Sequence, residues 1–252
     1  MRRWTILACA MAIAGSATVS AQRGGGRGGA AAARTAAPID VTGLWVSVVT
    51  EDWRWRMRTP PKGDYASVPL TPAAIKAAQS WDPAQDTAAG EECRAYGAAA
   101  IMRQPGRVRI TWGDDNTLKV ETEAGTQTRL WQFAAPVQPG PASWQGTSVA
   151  TWQPAGGGAR RGGGPAPRGG SLRVVTTNVR PGYLRKNGIP YSANARVTEY
   201  INRTNEPNGD SWLIVTTVVE DPQNLTSRFV TSSHFKKVPD GSAWTPTACS
   251  AS

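Results

Sequence analysis

Residues 107–133 contain the pattern that most limits how this chain can fold. Apolar side chains alternate with polar ones across 108–112 and again across 118–120. This period of two is typical of β-strands with one buried face. Turns rich in Asp, Asn and Gly separate the segments, at 113–116 and 123–126. The pattern predicts a three-stranded antiparallel meander, whose apolar face further strands must cover by closing a barrel or a second sheet.

The rest of the chain has the composition of short strands joined by turns. Thr71 before Pro72 is a typical helix start, so one short helix is expected over 73–81. The sequence therefore predicts an all-β fold, a single antiparallel β-barrel or closed sandwich with nine or ten strands. The strands expected outside the meander are 41–50, 53–58, 144–152, 172–179, 195–203, 212–220 and 225–235.

The first residues have the features of an export signal. A basic start, an apolar run and an A-x-A-like site predict a cleaved signal peptide over 1–21, and hence a periplasmic or secreted protein. No other stretch approaches the roughly 20 apolar residues of a membrane span. The Gly/Ala/Arg-rich residues 22–38 predict a disordered leader, and 39–252 a single β-barrel domain with a disordered Gly-rich loop at 154–170.

The cysteines fit an exported protein. Loss of the signal peptide leaves Cys93 and Cys249, which we expect to form a disulfide in an oxidising compartment. The alternative is two free buried thiols. Two Cys and one His are too few for a Cys/His zinc site, so no metal or other cofactor is expected.

The formal charge of +10 suggests nucleic-acid binding, but its distribution argues against that function. Eight of the Arg residues lie in 1–37 and 154–170, where there are no acids, so the remaining chain carries only +2. We therefore expect no nucleic-acid partner.

Residues 53–58 alternate aromatic or apolar side chains with arginines. As a strand, this segment places Trp53 and Trp55 on one face and Arg54 and Arg56 on the other. If the aromatic face is buried, the arginines are solvated. If the barrel has a polar lumen, the arginines form an anion-binding wall. Trp53, Trp55, Arg54 and Arg56 are thus the candidate ligand-binding residues.

Two candidate residues for acid–base chemistry lie on predicted strands. His234 is the only His in the chain, and Glu199 shares a strand face with Val197 and Ile201. Burial among aliphatic side chains would raise the pKa of Glu199 and suit it to proton transfer. The alternative for Glu199 is an ion pair with an Arg on a neighbouring strand.

Two resemblances extend these expectations. Gly43-Leu44-Trp45 resembles the Gly-x-Trp motif of lipocalins and other calycins, which implies an up-and-down barrel with Trp45 plugging one end of a ligand-binding lumen. The region from Cys93 to Cys249 is similar to a large group of uncharacterised exported bacterial proteins. The similar segments are 101–107, 144–152, 190–192, 198–200 and 220–222. Many members of that group have a His where this chain has Tyr191, so the resemblance makes Tyr191 a third catalytic candidate.

Eleven Trp residues exceed what a core of this size needs. Together with the barrel they predict a secreted or periplasmic protein that binds a small, partly aromatic molecule in its lumen. One alternative is an enzyme, an isomerase, lyase or hydrolase, that uses His234, Glu199 or Tyr191 in the same lumen. The second alternative is an envelope protein that binds partners through an exposed apolar patch.

Overall fold

The computed structural model of the chain describes residues 31–133, 137–156 and 169–252. The predicted signal peptide, residues 22–30 of the predicted leader and most of the predicted Gly-rich loop lie outside these ranges. Residues 31–38 contact the barrel: the Ala33 amide donates to the Asn116 side chain at 2.9 Å, and its carbonyl accepts from the Trp152 indole at 2.8 Å.

Nine strands form a closed barrel, as the sequence predicts. Their order is β1-β2-β3-β4-β5-β6-β9-β10-β11, closing back on β1, and β7 and β8 form a separate hairpin. The strands are β1 Gly43–Val48, β2 Arg107–Asp114, β3 Thr117–Thr122, β4 Gln127–Gln132, β5 Thr147–Pro154, β6 Gly170–Thr177, β7 Gly182–Arg185, β8 Ile189–Tyr191, β9 Arg196–Asn205, β10 Ser211–Glu220 and β11 Phe229–Val238.

The barrel departs from the expected antiparallel pattern at one place. β4 and β5 pair in parallel, with Trp131 opposite Ser148, whereas the other pairs of neighbouring strands in the barrel are antiparallel. Parallel neighbours require the chain to return to the starting end between them. A hairpin turn is too short for this return, so β4 and β5 are joined by a longer connection.

Within the described residues, three short α-helices lie outside the barrel: α1 Trp53–Arg56, α2 Pro72–Gln79 and α3 Pro83–Ala88. α2 is the expected helix, and Thr71 caps it by accepting from the Ala74 amide at 3.2 Å. α3 was not expected; Asp82 caps it in the same way, at 3.0 Å to the Ala84 amide.

The strand predicted over 53–58 is wrong, because residues 53–56 form the helical turn α1. Asp52 adopts a left-handed conformation with φ of 54°, which redirects the chain after β1. Its carbonyl then accepts from the amides of Trp55 and Arg56 at 2.9 and 3.1 Å. An alternating sequence of this length fits one helical turn as well as a strand, and the turn at Asp52 decides between them.

Large apolar side chains fill much of the barrel interior. Trp45, Trp131 and Phe235 are fully buried within the main core cluster. A second cluster, which includes Tyr191, packs under β7 and β8.

The predicted disulfide is confirmed: Cys93 and Cys249 are bonded, with their Cα atoms 5.1 Å apart. Within the described ranges, no helix has both the length and the apolar composition needed to cross a membrane.

Candidate functional site

Three buried arginines, Arg56, Arg103 and Arg185, lie at one end of the barrel. Their exposed fractions are 7%, 4% and 3%. The guanidinium carbons of Arg103 and Arg185 are each 5.9 Å from the ring of Phe229, the first residue of β11. We call these three residues the arginine cluster.

Each member reaches the cluster from a different segment that caps the barrel. Arg56 ends α1, and Arg103 ends a 3-10 helix, Ile101–Arg103, that follows the buried alanines 98–100. Arg185 ends β7 beside buried Leu184. Buried apolar neighbours therefore draw Arg103 and Arg185 inward, although arginine is seldom fully buried. Arg56 is instead held by its bonds to the Arg103 carbonyl and to Glu51.

The described residues provide hydrogen-bond partners for only some of the nitrogens of the arginine cluster. Arg56 donates through Nε to the Arg103 carbonyl at 2.8 Å, and its Nη1 pairs with Glu51. Arg103 donates through Nη1 to Asp52 at 2.9 Å. Arg185 donates through Nη1 to the Ala66 carbonyl at 2.8 Å and has no carboxylate partner among the described residues.

Four buried guanidinium nitrogens in the cluster have no hydrogen-bond partner in the described part of the chain. They are Nη2 of Arg56, Nη2 of Arg103, and both Nε and Nη2 of Arg185. A buried donor without a partner costs about 1–3 kcal/mol, and more when it is charged, so four together call for an explanation.

A small cavity of about 10 Å³ opens among these groups. Trp55, Gln104, Leu184 and Lys186 complete its lining, and all but Leu184 are half-buried. The volume is close to that needed by one water-sized group.

The electrostatics of the cluster favour an anion. Burial, followed by the like charge of Arg103, lowers the pKa of Arg185 to about 10, so its guanidinium stays charged at neutral pH. Burial also lowers the pKa of Arg56, against the opposing effect of Glu51. Among the described residues, the three guanidinium groups form ion pairs with two carboxylates, Glu51 and Asp52. The Asp64 carboxylate also acts on Arg185 but is itself paired with Arg54, so one positive charge of the cluster is left without its own counter-ion.

The predicted ligand-binding residues divide into two pairs. Arg56 belongs to the cluster, and the Trp55 ring lies 4.3 Å from the Arg185 guanidinium carbon. Arg54 instead extends to the surface and pairs with Asp64 at 2.7 Å, and Trp53 is 63% exposed. Of the four, only Arg56 and Trp55 border the cavity.

Glu199 lies in the barrel lumen rather than at the arginine cluster. Arg129 donates to both of its carboxylate oxygens, at 2.9 and 2.6 Å, and both side chains are fully buried. The ion pair anticipated as the alternative for Glu199 is therefore present. Its partner comes from β4 across the lumen, not from β6 or β10, the neighbours of β9.

The other two catalytic candidates lie outside the lumen, and His234 is next to Glu51, the carboxylate that pairs with Arg56 of the arginine cluster. His234 is on the outer side of β11, where its Nδ1 is 3.3 Å from Glu51. Tyr191 is buried in the second cluster, its hydroxyl has no partner among the described residues, and burial raises its pKa. Among the described residues, His234, Glu199 and Tyr191 share no hydrogen bond or ion pair.

Sequence reasoning missed Arg103 and Arg185. Arg103 had a usable signal, because it follows the apolar run 98–102 and such a run tends to carry the next residue inward. Arg185 had none in its local sequence, since only the folded hairpin places it beside Arg103.

Comparisons with known proteins give no further information about the site. No family model, no curated protein and no solved structure matches this chain.

Proposed function

We propose that this chain is a β-barrel protein that binds a small anionic molecule at the arginine cluster. The observation that carries the proposal is a set of four nitrogens that have no partner in the described part of the chain, on three arginines that are each more than nine-tenths buried. A bound anion would satisfy these donors and neutralise the surplus charge, which makes it the simplest account of an arrangement that is otherwise costly.

The arginine cluster is a better location for the ligand than the lumen. Large side chains, among them Trp45, Arg129, Trp131 and Phe235, occupy the barrel interior and are almost completely inaccessible to solvent. The cavity among the arginines instead has half-buried residues at its rim, through which a ligand can approach. Trp55 beside Arg185 offers an aromatic contact to a partly aromatic ligand.

Stability alone does not explain the cluster. Replacing buried charged groups with apolar residues of similar volume is often neutral or stabilising, by about 1–4 kcal/mol. Residues that reduce stability are commonly found where function requires them. The disulfide between Cys93 and Cys249 supports an oxidising compartment, so we place the activity in the periplasm or outside the cell.

The test measures the binding of a panel of small anionic and neutral molecules to the purified protein. Trp fluorescence and calorimetry report the binding. Arg185→Met should weaken anion binding by about tenfold or more, the scale of a lost hydrogen bond to a charged group. It should leave the free energy of unfolding unchanged or raise it by about 1 kcal/mol.

The matched control is Arg228→Met, because the Arg228 side chain is 71% exposed and pairs with Glu220 at 2.7 Å. This variant should bind anions like the parent protein. If Arg185→Met destabilises the protein strongly and binds every anion normally, the cluster is structural and the proposal is wrong.

A further inference from the structure

We infer that the chemical group bound by the arginine cluster is a carboxylate, rather than a phosphate or another tetrahedral dianion. The inference rests on the proposed function and adds the class of ligand to it. It depends on the geometry of Arg185, the charge of the cluster and the size of the cavity.

The free edge of Arg185 is suited to a planar acid. Its Nη1 is held by the Ala66 carbonyl at 2.8 Å, whereas Nε and Nη2 have no partner among the described residues. These two nitrogens form one side of the guanidinium fork, and their N–H bonds are nearly parallel. Two parallel donors of this kind match the two oxygens of a carboxylate. Arg56 and Arg103 line the same cavity, and Nη2 of each also has no partner among the described residues, so both can add donors to the site.

The charge balance favours a monoanion. The buried part of the cluster carries one surplus positive charge after Glu51 and Asp52 are counted. A carboxylate neutralises this charge, whereas a phosphate dianion would leave a buried negative charge uncompensated. Lys186 contributes less to this balance because it is half-buried at the rim, with its ammonium group 5.1 Å from the Tyr96 ring.

The cavity volume favours a small and flat group. The cavity of about 10 Å³ accommodates about one water-sized group. One edge of a carboxylate can enter while the remainder of the ligand extends past Gln104 and Lys186 at the half-buried rim. The terminal oxygens of a phosphate point in several directions, so a cavity of this size is less suited to a phosphate than to one edge of a carboxylate.

The experiment compares benzoate with phenyl phosphate, which present the same ring with different head groups, by calorimetry near neutral pH. Acetyl-alanyl-alanine and its amide form a second arm. Comparison with benzoate shows whether the site prefers the carboxylate of a small acid or that of a peptide terminus, and the amide tests whether the carboxylate is needed. The proteins are the parent chain, Arg185→Lys, which keeps the charge and loses the fork, and Arg228→Lys as the exposed control. Circular dichroism verifies that each variant is folded.

We expect the parent to bind benzoate or acetyl-alanyl-alanine at least about tenfold more tightly than phenyl phosphate. Arg185→Lys should weaken that binding by about tenfold or more, and Arg228→Lys should not change it. The tighter of the two acids identifies the source of the carboxylate, and the amide should not bind.

Three results would overturn the inference. Tighter binding of phenyl phosphate that depends on Arg185 removes the carboxylate assignment and leaves the proposed function intact. Unchanged carboxylate binding by folded Arg185→Lys removes the role of the fork. If the folded parent binds none of these anions, both the inference and the proposed function fail.

Discussion

The two ends of this barrel are closed by opposite kinds of contact. At the end where β1 begins, Phe133 stacks on Trp152 with ring centroids 5.1 Å apart, and Trp112 lies tilted against Phe133 at 5.8 Å. Ala33 covers this aromatic end and accepts the Trp152 indole hydrogen. At the end where β1 finishes, the arginine cluster occupies the equivalent position with its charges only partly compensated.

This contrast distinguishes contacts that stabilise the fold from groups that are available to bind a ligand. The aromatic end buries apolar surface and satisfies the indole of Trp152, so its contacts are explained by stability. The arginine end leaves buried donors without partners in the described part of the chain, at a cost in stability. Buried atoms without a partner in the described part of the chain also occur elsewhere, for example Nε of Arg129 and Nε of Arg203, but at the arginine end four of them belong to residues that line one cavity. Such a concentration at one cavity is typical of functional sites.

The ion pair of Arg129 and Glu199 lies between the two ends and should give the largest effect. Thr176 supports the pair, with its hydroxyl 3.3 Å from Nη2 of Arg129. We expect Glu199→Gln to reduce the free energy of unfolding by about 3–5 kcal/mol, because it leaves the charge of Arg129 buried without a counter-ion. Urea unfolding measures this change.

The double variant Arg129→Met with Glu199→Met is the control for this prediction. It removes both charges together and should be much more stable than Glu199→Gln alone. If Glu199→Gln costs less than about 1 kcal/mol, the pair is hydrated and does not behave as a buried ion pair.

A smaller effect is expected at the aromatic end. Trp152→Ala should lower the free energy of unfolding by about 2 kcal/mol, because the variant loses the stacking on Phe133 and the hydrogen bond to the Ala33 carbonyl. The loss is smaller than for a fully buried Trp because Trp152 is half-buried. The matched variant Trp152→Phe keeps most of the ring and should lose about half as much. Neither variant should change anion affinity, since both lie at the opposite end from the cluster; a loss of affinity would mean that the two ends are coupled.

The two ends also differ in how much of them could be predicted from sequence. The barrel follows from local alternation, as in residues 107–133, because each strand shows its buried face in its own sequence. The disulfide of Cys93 and Cys249 follows from the count of cysteines and the expected compartment. Both features rest on information contained in short segments or in composition.

The arginine cluster depends on contacts between distant segments, so no short stretch of sequence contains it. Arg56 was a candidate for the wrong reason, since a single left-handed residue, Asp52, converts the expected strand into a helical turn. Arg103 and Arg185 approach each other only after β7 and β8 fold over the barrel. The pairing of Arg129 with Glu199 likewise requires the closed barrel, because their strands are not neighbours.

The last and smallest expected effect concerns the carboxyl-terminal tail beside the arginine end. The Glu123 carboxylate accepts from the Thr245 amide at 2.7 Å and from the Arg107 amide at 2.9 Å. Burial alone would raise the pKa of Glu123, but these hydrogen bonds and the charge of Arg107 outweigh burial and lower it below the usual 4.5. The stabilisation is therefore complete above the unfolded pKa and is lost as the pH falls through the folded pKa.

Glu123→Gln should thus cost about 1 kcal/mol near neutral pH, and this deficit relative to the parent protein should shrink below about pH 4. The deficit of Trp152→Ala comes from apolar contacts and should stay constant over the same range, so urea unfolding at several pH values distinguishes the two ends. If the stability losses of Glu123→Gln and Trp152→Ala changed equally with pH, the proposed difference between the two ends would be contradicted. A constant deficit for Glu123→Gln would show that the bonds to Thr245 and Arg107 do not depend on the charge of the carboxylate, and that the tail is held by the disulfide of Cys249 instead.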